Sequence, residues 1–182
     1  MKIMRYPTKL ICAALLLSGC AMSYSWRPKV PENYRTVTVP TFRNESNIME
    51  AGATMTTQLK REFQRDGVFK LAAGDSGALE VQGTVNSIIS GLVAYDRRAS
   101  TRISAYGVKM TVTVSVIDKK RGRVLINNKT YSGDTTTAYS QDSTTAMRDA
   151  AGRAADDVSR QIVDDLTAFD YNKAEWENED HE

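Results

Sequence analysis

Apolar and polar positions recur along the chain with two different periods. Tyr106, Val108, Met110, Val112, Val114 and Val116 alternate with Gly107, Lys109, Thr111, Thr113 and Ser115. A period of two predicts a strand with one buried face and one open face. Asp118 to Gly122 then reads as a tight hairpin turn, with Arg123 to Tyr131 as the returning strand. Leu79, Val81 and Val85 share the face of an earlier extended segment, Leu79 to Tyr95, and the adjacent Ile88 and Ile89 break its alternation, which predicts a bulge there. Val37 and Val39 mark a strand over Tyr34 to Phe42, which Pro40 confines to an edge or an end. Val68 to Leu71 is a short strand-like run. The helical period appears twice. Gly52, Thr56, Leu59 and Phe63 form a narrow stripe within Met49 to Asp66, entered through the turn residues Asn44 to Asn47 and closed by Gly67. Met147, Ala150, Ala151, Ala154, Val158, Ile162, Leu166 and Phe169 form the stripe of a long helix from Asp142 to Phe169, with Asp149, Arg153, Asp157, Arg160 and Asp164 outside it. Gly133 to Ser143 reads as a Thr-rich loop.

This order of elements predicts an α+β fold: a mostly antiparallel sheet of about four strands with two helices packed on one face. Only one face of the central strand is apolar, so the row Lys109, Thr111, Thr113 and Ser115 should line an open face.

The first residues follow a different grammar. Lys2, Arg5 and Lys9 precede the apolar run Leu10 to Leu17, which has the length of a signal-peptide core and is too short to span a bilayer as a helix. Leu17-Ser-Gly-Cys20 matches the lipobox of bacterial lipoproteins. The reading is therefore a signal peptide over 1–19, acylation of Cys20, a tether over 20–33, a domain over 34–170 and an acidic tail over 171–182, expected to be disordered. Several acyl chains on one residue give stable anchoring. Ala21 after the cysteine suggests the outer membrane by resemblance to known lipoproteins. Cys12 leaves with the leader, so the mature chain has no second cysteine for a disulfide. The formal charge is +2 for the whole chain, and the leader holds three cations and no anion, which leaves a mature chain too mild in charge for general nucleic-acid binding.

Catalytic chemistry is poorly served. Gly74-Asp-Ser-Gly77 looks like a serine-nucleophile motif, but the sole histidine, His181, lies in the acidic tail, and a serine nucleophile needs a positioned base. No histidine or cysteine cluster offers a metal site, no glycine-rich loop offers a phosphate cradle, and no cofactor is implied. Binding remains. Arg97, Arg98 and Arg102 gather on one turn, flanked by Tyr95 and Tyr106, while Lys119, Lys120, Arg121 and Arg123 gather on the far hairpin. Loop cations are ordinarily solvated; arginine forks also suit phosphates.

The segments "YRTVTVPTFRNES", "LKREFQRDGVFKLA", "ALEVQGTV", "YGVKMTVTVSVIDKKRGRVL" and "YSGDTTTAYS", followed by an alanine-rich helix, resemble the LptE family of lipopolysaccharide-assembly lipoproteins from about Arg35 to Phe169. The resemblance implies a plug seated in an LptD-like outer-membrane β-barrel. It also implies lipopolysaccharide contact near Arg97, Arg98 and Arg102, region by region rather than residue by residue. The acidic tail with Trp176 departs from the family pattern. Lipoproteins resembling LpoB, which regulate peptidoglycan synthases, share the opening strand, helix and alternating sheet and stand as the alternative.

Overall fold

A computed structural model describes residues 30–95, 103–138 and 143–171. Cys20 and the leader, most of the tether, Arg97, Arg98 and Arg102, and the tail beyond Tyr171 lie outside the described residues. A 3-10 turn at Glu32–Tyr34 leads into β1 (Thr36–Thr38), β2 (Arg43–Asn44), α1 (Ala51–Asp66), β3 (Lys70–Leu71), β4 (Leu79–Tyr95), β5 (Ile103–Asp118), β6 (Arg123–Ala138) and α2 (Ser143–Ala168).

The α+β class is as expected, but the sheet is not a mostly antiparallel one of about four strands. It is a mixed sheet of six, ordered β3-β1-β4-β5-β6, with β2 beside β4. β4, β5 and β6 form an antiparallel meander. β1 pairs in parallel with both β3 and β4, and β2 pairs in parallel with β4. The cause is connectivity. A hairpin returns an antiparallel neighbour, whereas the passage through α1 carries the chain back before β3 and β4 begin, so these strands run parallel to those before the helix. The added strands are only two or three residues long, too short to display a period.

Both helices contribute to one core against one sheet face. Met55, Leu59 and Phe63 of α1 and Ala154, Val158, Ile162 and Leu166 of α2 are buried with Val81, Val85, Val108, Met110, Val112, Val114 and Val116. Each large side chain so buried contributes about 1.5–3 kcal/mol. Both ends of the domain join this core. Val30 and Tyr34 are buried, and Tyr171 stacks on Tyr34 with ring centroids 4.9 Å apart.

Two local expectations move. The bulge falls between Val85 and Ser87, slightly ahead of Ile88 and Ile89. The Thr-rich stretch expected as a loop is strand as far as Ala138. Gly133 lies so close to α2 that a Cβ there would sit 2.2 Å from the Ala154 carbonyl oxygen. Arg153 donates to Thr135 Oγ1 and to the Thr136 carbonyl. The β-branched threonines suit a pleated strand, and the helix holds them in it.

Candidate functional site

The open sheet face carries a polar ladder built by cross-strand registration. Thr84 faces Thr113, which faces Thr130; Gln82 faces Ser115. Thr113 Oγ1 donates to Asn86 Oδ1 at 2.9 Å, and Ser115 Oγ donates to Asn128 Oδ1 at 3.1 Å. Asn128 has a positive φ of 46° where β6 bulges, and its N–H donates back to Ser115 Oγ at 3.0 Å. Asparagine tolerates that backbone better than most residues. A cleft of about 340 Å³ opens over this ladder, edged by Arg43 and Glu80. It presents amide and hydroxyl groups that can exchange hydrogen bonds with polar ligands. Asn86 and Asn128 act in this ladder, yet neither stands out in the sequence; the two bulges bring them into it.

At the turn between β5 and β6, two of the four basic side chains, Lys119 and Arg121, are engaged by the fold. The Lys119 ammonium pairs with Asp75 and, at 3.4 Å, with Glu80; the Asp75 hydrogen bond is the main cause that raises its pKa above the usual lysine value. Arg121 donates to the Tyr34 hydroxyl and lies 5.9 Å from its ring centre. Asp118 Oδ1 accepts from the Lys120 and Arg121 N–H groups and shapes the turn. At the other end, β4 and β5 pair as far as Tyr95 and Ile103. The chain between them carries Arg97, Arg98 and Arg102, and these three lie outside the described residues, as Cys20 does.

Other candidates resolve into structure. Gly74 adopts a positive φ, Ser76 Oγ donates to the Ala73 carbonyl, and the Gly77 N–H donates to Thr38 Oγ1, so Gly74 to Gly77 is a turn pinned to β1. Asp156 and Asp157 pair with Arg160, one turn further along α2, at 3.4 and 3.5 Å. Among the described residues, no group of histidine, cysteine, aspartate or glutamate could hold a metal ion, and no helix is long and apolar enough to cross a membrane.

The family model described as "LptE: Lipopolysaccharide-assembly" matches residues 34–166. Comparison with curated proteins finds no match. Solved structures share the fold at low identity. A Chlamydia trachomatis protein is 10% identical with a TM-score of 0.52, covering 74% of this chain and 96% of its own. Lipoprotein B of Nitrosomonas europaea is 13% identical with a TM-score of 0.51, covering 75% and 84%. A Xanthomonas campestris protein is 12% identical with a TM-score of 0.51, covering 83% and 92%.

Proposed function

This chain belongs to the LptE family of lipopolysaccharide assembly, and from that premise we propose that it is an outer-membrane lipoprotein, anchored through Cys20, that plugs an LptD-like β-barrel and contacts lipopolysaccharide as it is inserted. The observation that carries this is the extent of the family match, from Tyr34 to Leu166, which takes in every strand and nearly all of both helices. The proposed glycolipid contact is the turn bearing Arg97, Arg98 and Arg102. The β5–β6 turn supports that choice. Lys119 and Arg121 already have partners within the domain, which leaves the β4–β5 end as the better place for an external phosphate. The role asked of the chain is binding and support, with no catalytic step.

Affinity purification of the lipidated protein from outer membranes, followed by mass spectrometry, tests the barrel. A large outer-membrane barrel should come down; a peptidoglycan synthase in its place would overturn the reading. The lipid contact is tested by Arg97→Ala with Arg98→Ala against purified lipopolysaccharide and a dephosphorylated form. Each charge-assisted bond to a phosphate is worth about 1.5–3 kcal/mol when desolvated. Loss of two should weaken binding to the phosphorylated form by about tenfold or more, even allowing for exposure. The matched control is Lys120→Ala, since Lys119 is committed to Asp75 and Glu80. Equal loss from both ends would reduce the arginines to solvated loop charges.

A further inference from the structure

The two long edges of the meander are treated differently. On β6, the carbonyls that point away from β5 are met by α2: Gln161 Nε2 donates to the Ser132 carbonyl at 2.9 Å and Arg153 Nη2 to the Thr136 carbonyl at 3.1 Å. Covering an edge in this way blocks pairing with another chain. The outer edge of β4 is covered only in its first half. β1 lies beside Leu79 and Glu80, and β2 lies beside Thr84 and Val85. The last bond on that side runs from the Glu45 N–H to the Val85 carbonyl. Beyond the bulge at Asn86, no strand among the described residues lies along that edge of β4, although β4 continues to Tyr95.

The alternation of an antiparallel ladder fixes which groups are left over. Ser132 and Thr136 direct their carbonyls away from β5, so their partners Thr111 and Gly107 turn their backbone groups toward β4, onto Ser87 and Gly91. Ile88 and Ser90 then face outward, with Leu92 next in phase. Two of the usual devices that blunt an edge, charge and proline, are missing, and between the bulge at Asn86 and the next irregularity after Leu92 the pairing of β4 is regular. No charged residue occurs between Glu80 and Asp96, and no proline.

Side chains along this edge are equally unusual. Ile89 is 59% exposed. Gly91 and Gly107 are direct cross-strand neighbours. A Cβ at Gly91 would meet nothing within 4 Å, and its φ is not positive, so neither close packing nor backbone conformation demands glycine there. Glycine in a strand interior weakens it and often marks the close approach of another group. The glycine pair, Ile89 and Lys109 line a shallow depression of about 680 Å³ on the open face.

We propose that the free edge of β4 from Ser87 to Leu92 receives an extended segment of a partner polypeptide as an added strand, uncharged along its length, with an aromatic ring lying over Gly91 and Gly107. Backbone hydrogen bonds to Ile88 and Ser90 supply the pairing, as in other strand-addition complexes. The aromatic ring supplies the apolar cover that glycines in a strand lack, a compensation used in sheets. The absence of charge on β4 leaves a charged strand no opposite charge to pair with on the strand it would adjoin, which disfavours one.

The test uses the full lipoprotein expressed in its own host, with p-benzoyl-phenylalanine in place of Ile89 and irradiation of isolated membranes. One partner peptide should be captured, uncharged and carrying an aromatic residue. Ser90→Pro should lower the yield at least tenfold. It removes only an outward N–H and leaves the β4–β5 ladder intact, so thermal unfolding should match the parent. Should that variant prove unstable, Gly91→Val fills the depression where a Cβ has open space, and it should lower the yield likewise. Capture of a second copy of this chain, of lipid alone or of nothing, or a yield indifferent to both variants, would overturn the proposal. A crosslink yield unchanged in Ser90→Pro, with the barrel still copurifying, would leave the barrel reading standing while strand addition falls. A captured strand from some other protein, with no barrel copurified, would do the reverse.

Discussion

A methyl group on Gly133 would collide with the Ala154 carbonyl oxygen at 2.2 Å, whereas one on Gly91 would meet no atom within 4 Å. Alanine at the two positions should therefore act with opposite sign. Gly133→Ala forces α2 away from β6 and should cost about 1–3 kcal/mol, the usual penalty of overpacking. Gly91→Ala should stabilise by about 0.4–1 kcal/mol, because it narrows the unfolded ensemble without strain in the fold. Urea unfolding of the two variants decides the matter, and destabilisation by Gly91→Ala would mean that the backbone there is not free to carry a side chain. The tyrosines give a second prediction. Burial raises the Tyr171 hydroxyl above the normal tyrosine range, and burial together with Asp165 raises Tyr131. A raised folded pKa means that stability is intact below about pH 10 and is lost as the pH climbs from there toward the folded value, since the unfolded phenols ionise first. Tyr171→Phe should forfeit about 1 kcal/mol at pH 7 with its bond to the Leu166 carbonyl, and should flatten that alkaline decline. An alkaline limb as steep as that of the parent would exclude Tyr171 as a contributor.

At the scale of the element, β5 is where pattern and structure agree most closely. Val112 and Val114 are buried while Thr111 and Thr113 are partly exposed on the other face. Val112→Asp should cost several kcal/mol and unfold the domain, because a carboxylate would enter the core without a partner. Thr113→Asp should lower stability far less, as only its bond to Asn86 is lost. Circular dichroism melts of the two variants would show it, and equal melts would contradict a sheet with one buried face. β5 and both helices were legible because each repeats its period over several turns or pleats. β1, β2 and β3 were not legible as parallel neighbours, because segments of two or three residues carry no register; α1 and the core place them. The end of β6 was misread because threonine and glycine serve loops and strands alike, and only the approach of α2 at Gly133 decides between them. Of the candidate site, the arginine turn could be located in the sequence from its composition. The uncharged run after Glu80 was visible too, but its meaning depends on which edge β2 leaves bare, and that is a property of the sheet.

Over the whole molecule, the anchor and the domain are read from different kinds of signal, the one from a short motif and the other from repeated patterns. Cys20→Ala should abolish incorporation of a clickable palmitate, and equal labelling of parent and variant would remove the anchor from the account. The domain itself has a consequence for whatever pulls on it. The described chain enters the core at Val30, passes Tyr34 and continues directly into β1, which lies between β3 and β4 and runs parallel to both. On one side the Lys70 N–H donates to the Arg35 carbonyl and the Ala72 N–H to the Val37 carbonyl; on the other side lies β4. Tension arriving through the residues before Val30 is therefore applied along a strand held on both flanks. It loads those hydrogen bonds together in shear instead of opening them one at a time from an end. With the chain held through Cys20, as proposed above, the loaded terminus would be the mechanically locked one, and the domain would resist unravelling from that side.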